Sequence, residues 1–307
     1  MVKDIEILSQ NIKHKALDLG FSLVGISKAK LSDKTSERLD DWILNNYHAS
    51  MKWIENRAEE RKNIFHYYPQ AKSIISVGLN YFTGEAKGKH KISNYAWGDD
   101  YHLIVKSKLR ELLSYIKSTK KGIDGIVCVD TSPVMEKVVA QNAGLGWIGK
   151  NTNLLTKDFG SWVFLGEIIL NIELDYNDTT PQNYCGDCTK CIDACPTNAL
   201  VKPYVLDSNQ CISYLTIEHR NEIDLELFDR FNGWIYGCDI CQQVCPWNIK
   251  FSKITEMDEF KERELIIKHS KDNWQNLTED EFKEIFKKSP VKRTKFVGLK
   301  RNLDITN

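Results

Sequence analysis

Eight of the nine cysteines fall between Tyr184 and Trp247, and their spacing constrains this chain more than any other feature. The stretch opens with Cys185-x2-Cys188-x2-Cys191-x3-Cys195-Pro196 and closes with Cys238-x2-Cys241-x3-Cys245-Pro246, with Cys211 alone between them. Three close thiolates followed by Cys-Pro hold one iron–sulfur cluster while the fourth cysteine reaches a second. The closing run lacks its first cysteine, because position 235 is Ile. Two cubane clusters need eight thiolates. The runs supply seven, and Cys211 is the one nearby cysteine able to be the eighth. Structural zinc prefers two Cys-x2-Cys pairs separated by a spacer and does not explain the closing Cys-Pro. Disulfides would need an exporting signal.

Pairing by the two-cluster ferredoxin rule gives one [4Fe–4S] cluster on Cys185, Cys188, Cys191 and Cys245. The second is then held by Cys195, Cys211, Cys238 and Cys241. The ninth cysteine, Cys128, lies in the apolar run Ile126-Val127-Cys128-Val129 and reads as a small buried hydrophobe.

The remaining composition narrows the class. The 307 residues allow one large or two modest domains, and 42% hydrophobic with 27% charged residues is ordinary for a soluble globular chain. Net charge is zero, so any nucleic acid must be met by a local patch rather than a global field. The N-terminal MVKDIEILSQ has no apolar signal core, and no run approaches the roughly 18–20 apolar residues of a membrane span. A cytoplasmic protein with no membrane partner is expected, a setting in which clustered cysteines mean metal.

Hydrophobic periodicity places a helix over 4–19, a strand over 21–26, a helix over 36–46, a buried strand over 74–80 and a long helix from His102 to about 118. Residues 126–130 read as a strand. Ser132 as N-cap and Pro133 at the first helical position predict a helix over 133–143. Asp130 thus closes a strand opposite a helix N-terminus, where a carboxylate either serves the ligand or supports the cap. Tyr95 to His102 reads as a pocket wall. Gly144-Leu-Gly146-Trp-Ile-Gly149-Lys150-Asn151 matches nucleotide-loop patterns, yet a helix precedes it and Asn151 replaces the P-loop hydroxyl, so both nucleotide readings are rejected. Its glycines would admit a bulky ligand, with Trp147 and Lys150 on the flanks. Ser161 to Leu170 is the last strong strand, and 175–183 reads as a linker. Thr278-x-x-Glu281 is a capping box. The basic segment 287–295 is either a solvated helix end or a phosphate-contacting patch.

On spacing alone this is a two-cluster electron-transfer module joined to an α+β domain holding a second redox centre. C-type haem is excluded for want of C-x-x-C-H; flavin and a corrinoid stay open. Asp100-Tyr-His102 begins like a corrinoid D-x-H motif, but Val105 stands where Gly should follow.

From the N-terminus to about Asn302 the chain resembles the epoxyqueuosine reductases. The resemblance is carried by Tyr95-Ala96-x-Gly98-x-Asp100-Tyr101-His102, Val129-Asp130-Thr-Ser-Pro133, Gly144 to Asn151, the Cys185–Cys195 run, Cys211 to Ile217, and Gly233-Trp-Ile-Tyr-Gly-Cys-Asp-Ile-Cys241. Asn94 departs from the family's frequent Arg, and longer members continue past Asn302 into a helical-repeat domain. The resemblance implies a flavin-reductase-like cobalamin-binding α+β domain (1–176), a bacterial ferredoxin-like two-[4Fe–4S] module (177–250) and a helical C-terminal tail (251–307). It implies cobalamin close to cluster 1, with cluster 2 relaying electrons from an external low-potential donor. The implied substrate is epoxyqueuosine at tRNA position 34, with Asp130 as proton donor and a monomeric enzyme. Implied corrin contacts are Arg57, Tyr95, Asp130, Leu154, Ser213, Cys238 and Asp239; candidate tRNA contacts are His219, Arg220, Lys292 and Arg293. A reductive dehalogenase or corrinoid-reducing activator is the competing reading.

Overall fold

Helix α1 (Val2–Asp18) buries Ile12 and Ala16 completely, and Gly20 ends its last turn at a positive φ of 85°. Around this helix the chain adds β1 (Leu23–Lys28), α2 (Asp33–Leu44), β2 (Ser73–Asn80), α3 (Tyr101–Thr119), β3 (Gly125–Cys128), α4 (Glu136–Asn142) and β4 (Val163–Leu170). This computed structural model describes residues 2–86, 88–177, 182–264, 266 and 274–306. Of the expected linker 175–183, positions 178–181 lie outside the described residues.

The four strands form one antiparallel sheet in the order β1-β2-β4-β3. Every residue of β2 is buried, because both faces of the sheet are covered. Alternation divides the two faces. Ile75, Val77, Leu79, Ile168 and Leu170 meet Ile12 of α1 and Val105, Leu109 and Leu112 of α3. On the other face, Ile74 and Ile169 meet Cys128 and Val139 of α4. By the same alternation Glu167 of β4 shares that second face with Ile169.

The helix expected over 133–143 begins only at Glu136, and neither Ser132 nor any other side chain caps it. The reason lies at Asp130, whose φ of 53° turns the backbone into the left-handed region and delays helical geometry. The glycine-rich stretch also differs from expectation. Trp147–Ile148 and Leu154–Leu155 pair as an antiparallel hairpin. A Cβ on Gly146 would sit 2.0 Å from the Leu155 carbonyl oxygen, so the space these glycines leave is filled by their own hairpin rather than by a ligand.

The cysteine region packs through short helices α5 (Lys190–Asp193), α6 (Ile212–Ile217), α7 (Ile240–Gln243) and α8 (Pro246–Phe251). Strand Trp234–Tyr236 pairs in parallel with Lys91–Ile92 and ties this module to the first half of the chain. Beyond it come α9 (Glu279–Ile285), opened by the expected Thr278/Glu281 capping box, and α10 (Lys295–Ile305). These helices are not a solvated tail. Phe282, Ile285, Phe286, Val291, Leu299 and Leu303 form a core with Ile92, Ala96, Trp97, Ile235 and Tyr236. Each such buried side chain contributes about 1.5–3 kcal/mol. Gly98 permits the approach: a Cβ there would lie 2.3 Å from the Glu259 carbonyl oxygen. Among the described residues, no helix is long and apolar enough to cross a membrane.

Candidate active site

Asp130 sits in the turn between β3 and α4 with its side chain 55% exposed. Its Oδ2 lies 3.1 Å from His102 Nε2, and His102 Nδ1 lies 2.7 Å from Asp100 Oδ1. Asp100 caps the start of α3 by accepting from the His102 backbone N–H, and its other oxygen pairs with Lys292 at 3.0 Å. A chain of four charges therefore runs from the C-terminal segment to Asp130. Burial opposes charge on His102, but the hydrogen bonds it donates to Asp100 and Asp130 outweigh it and push its pKa up to about 9. Burial likewise opposes charge on Asp100, yet His102 and Lys292 hold it down to about 2. At neutral pH Asp100 is therefore ionised and His102 protonated.

Behind the Asp130 turn lies a second acidic pair. The Asp130 backbone N–H donates to Glu136 Oε1, which fixes the left-handed turn. Glu136 faces Glu167, a fully buried carboxyl in the middle of β4. Neither oxygen of Glu167 has a well-formed hydrogen bond. Burial pushes both carboxyls up, so the pair keeps at least one proton at neutral pH. Lys137, the next residue of α4, is exposed to water yet lies among Cys241, Glu136, Cys211 and Asp130. It donates to Thr152 O at 3.1 Å and Asn153 Oδ1 at 3.0 Å. Lys137 thus lies near both Asp130 and the cysteines Cys211 and Cys241.

All nine cysteines are free thiols. Cys191 has Cys245, Cys185 and Cys188 as its charged neighbours. Cys241 has Cys211, Asp239, Cys191 and Cys195, while Cys238 has Cys241 and Cys211. Among the described residues, no three His, Cys, Asp or Glu side chains converge on a point that would hold a single metal ion. Cys191 is thus grouped with Cys185, Cys188 and Cys245, and Cys211 with Cys195 and Cys241. It is the Cys211/Cys238/Cys241 side that adjoins Lys137 and the Asp130 wall. The Cys185–Cys191 loop lies outward, with Gly186, Asp187, Thr189 and Lys190 exposed.

The other expected residues divide. Tyr95 stands edge-on to Tyr101 at 6.3 Å and is felt by Asp130. Ser213 follows Cys211 on α6, half-buried. Arg57 lies over the Tyr67 ring at 5.3 Å and bonds Glu60 at 3.2 Å, whereas Arg61 is the arginine that reaches the Asp130 turn, 3.3 Å from Ser132 O. Two side chains expected at the ligand face inward instead. Leu154 is buried with Ala140, Ala143 and Leu145. Asp239 is 1% exposed, and its two oxygens accept from Ser93 Oγ and Asn94 N. It braces the Tyr95 loop. Of the candidate tRNA contacts, Arg293 forms a two-point pair with Glu218 and lies over the exposed Trp53 ring at 5.6 Å. Arg220 donates to Arg293 O at 3.0 Å, His219 bonds Glu222 O at 2.9 Å, and Lys292 holds Asp100.

Two family models match this chain: "4Fe-4S double cluster binding domain" over residues 184–248, and "Epoxyqueuosine reductase QueG, DUF1730" over residues 61–131. A curated epoxyqueuosine reductase from Cellulophaga algicola is 46% identical over 298 residues, covering 96% of this chain and 97% of that protein. The chain belongs to the epoxyqueuosine reductase family. A solved epoxyqueuosine reductase, in complex with an epoxyqueuosine-modified tRNA-Tyr stem loop, superposes with a TM-score of 0.90 at 30% identity, covering 98% of this chain and 80% of that one. A catabolic reductive dehalogenase matches far more distantly, at TM-score 0.51 and 16% identity over 83% of this chain and 33% of that one, a likeness of fold alone.

Within this oxidoreductase family, the two matched segments meet the geometry above: the first ends just past Asp130, and the second holds all eight clustered cysteines. An iron–sulfur double-cluster domain is part of the chain. Several residues around Asp130 are absent from the sequence expectation. Glu167 could have been found: it is the lone acid in the apolar strand SWVFLGEIIL. Glu136 and Lys137 carry no such signal, because only the fold of the turn brings them to the site.

Proposed function

We propose that this chain reduces epoxyqueuosine to queuosine at position 34 of tRNA, in the cytoplasm and as a monomer. Electrons from an external low-potential donor would pass through two [4Fe–4S] clusters to cobalamin in the first half of the chain. The observation that carries the reading is the accessible Asp130, tethered to a charged His102, on a wall shared with the Cys211/Cys238/Cys241 side. The sheet with helices on both faces supports a flavin-reductase-like domain over 1–176, followed by the module 177–250 and the C-terminal segment 251–307.

Cluster ligands are assigned as Cys185, Cys188, Cys191 and Cys245 for one, and Cys195, Cys211, Cys238 and Cys241 for the other. The charged neighbours of Cys191 and Cys241 support that division. The exposed Asp130 and Lys137, with the half-buried Tyr95 and Ser213, are read as the side chains that would meet the corrin. Cobalamin, when bound there, supplies a low-potential metal centre able to take the epoxide oxygen from carbon.

The rest falls to the chain's own side chains. Converting an epoxide to an alkene consumes two electrons and two protons, and both protons leave with the oxygen as water. Asp130 gives a proton to the departing oxygen, an assistance of typically about 10²–10⁴-fold. His102, protonated at neutral pH and 3.1 Å from Asp130 Oδ2, returns a proton to the aspartate. Asp100 and Lys292 hold His102 in place for that transfer. Arg220, Arg293 and His219, around the exposed Trp53, are read as the surface that meets the anticodon arm, from which one base must be splayed out.

Anaerobic incubation with epoxyqueuosine-containing tRNA and dithionite tests the reading. Queuosine formation is expected, from protein that shows both iron–sulfur and cob(II)alamin absorption. Iron without cobalt, or both cofactors without turnover, would sink it.

A further inference from the structure

The outward cysteine loop is bordered by aromatic rings and unpaired lysines. Trp147 packs against Tyr184 at 4.9 Å and Trp247 at 4.7 Å, and Trp247 stacks on Phe251 at 5.1 Å. Cys245 and Cys185 lie in the same cluster of side chains. Lysines cover this aromatic wall from outside. Lys157 Nζ is 4.8 Å from the Tyr184 ring centre, Lys250 is 5.0 Å from Phe251, and Lys253 is 5.1 Å from Phe159. Lys150 donates to Gly186 O at 2.6 Å, inside the cysteine loop, and Lys190 is exposed at its end.

Among the described residues, none of these five lysines is within ion-pair distance of a carboxylate. Lysines elsewhere are paired, as in Lys62–Asp40, Lys117–Asp124 and Lys292–Asp100. In the sequence, the acids nearest to these lysines are Asp158, Asp187, Asp193 and Glu256, and none of them is within ion-pair distance of one. On a chain of zero net charge, this is a local cationic field. Ile249, on the same helix α8 as Lys250 and 69% exposed, lies within this stretch. An exposed apolar side chain rimmed by unpaired charge of one sign is the composition of a transient docking face.

We propose that the face formed by Lys150, Lys157, Lys190, Ile249, Lys250 and Lys253 docks an acidic electron-carrier protein, which delivers electrons to the cluster on Cys185, Cys188, Cys191 and Cys245. The proposal rests on the functional reading above, because it assumes that both clusters are filled. The other cluster adjoins the active-site wall, so electrons entering at this face travel inward to it. Each encounter oxidises the carrier by one electron and reduces the outer cluster by one; two encounters supply one epoxide. Charge complementarity accelerates such encounters and is screened by salt.

The test uses the cluster-loaded full chain carrying Lys157→Glu, Lys250→Glu and Lys253→Glu together, with reduced, strongly acidic flavodoxin as the probe. Stopped-flow bleaching of the iron–sulfur absorption, without tRNA, is expected to slow about tenfold at low salt and to converge with wild type at high salt. Iron content, dithionite-driven turnover and KM for tRNA are expected to be unchanged. Equal bleaching rates for variant and wild type would overturn the proposal. So would a raised KM for tRNA with bleaching unaltered, since the face would then be an RNA contact. If the triple variant loses iron, the single Lys250→Gln protein is measured instead, and a bleaching rate without salt-dependent loss overturns the proposal. A wild type that bleaches normally but forms no queuosine with dithionite refutes the functional reading and leaves the docking result standing.

Discussion

His102 Nε2 and Asp130 Oδ2 stand 3.1 Å apart, within hydrogen-bond reach of one another. The folded His102 pKa is raised to about 9. Its ion pairs therefore contribute stability that is complete below the ordinary histidine value of about 6.5 and is lost as pH rises through about 9. We expect His102→Gln to fold and keep its iron, to lower kcat about 10–100-fold with little change in KM for tRNA, and to flatten the fall in thermal stability between neutral pH and pH 10. Thermal melts and turnover against pH check both effects.

Asp130→Asn retains the side-chain volume and removes the acid. It should bind both clusters and cobalamin and lose turnover by about 10²-fold or more. Single-turnover assays with epoxyqueuosine-tRNA decide this, and near-wild-type activity would exclude Asp130 as proton donor.

Cys211→Ala should release one cluster, about four irons of eight, and should abolish electron flow to the active site because that cluster adjoins the Lys137 wall. Iron analysis beside the electron paramagnetic resonance of the reduced protein is the measurement. Full iron content would assign the eighth ligand elsewhere.

Glu167 is buried with its pKa pushed up, so the folded protein binds a proton that the unfolded chain gives up above about pH 4.3. Its contribution declines as pH rises above that value. Glu167→Gln removes that dependence. We expect the variant to match wild type near pH 5 and to exceed it in urea stability at pH 8. Glu167→Ala should instead lose about 2–4 kcal/mol by opening a cavity beneath the Asp130 turn, together with a fall in kcat as the turn loosens. A Glu167→Gln protein less stable than wild type at pH 8 would contradict a neutral Glu167.

Leu303→Ala, at a fully buried position of α10, should cost about 2–5 kcal/mol. Because α10 belongs to the core that seats Lys292 and Lys288 against Asp100, kcat should fall with it. Denaturant titration and turnover at sub-denaturing concentrations test the coupling.

What could be read from the sequence was local. Cubane ligation is written in short spacings, so the Cys185–Cys195 and Cys238–Cys245 runs announce it directly. Asp130 at the end of β3 was visible because a strand pattern stops there. The late start of α4 was not, since it depends on the left-handed turn and on Glu136 reaching back to the Asp130 N–H. The glycines of 144–149 resembled a ligand cradle because a pattern cannot show that the Leu155 carbonyl fills the gap. Which cluster faces the active site depends on how the module docks through Trp234–Tyr236, a long-range pairing with no local signature. The apolar residues of 274–305 are scattered among charges, and their common destination on Trp97 and Tyr236 emerges only in three dimensions.

The seating of Lys292 on Asp100 and of Pro290 O on the Tyr236 hydroxyl has a consequence for biosynthesis. A nascent chain that has already displayed every cysteine still lacks the segment that braces His102. Metal centres could then be installed before the acid–base machinery is complete. The brace on His102 thus depends on residues 290–292, which are made after every cysteine of this chain.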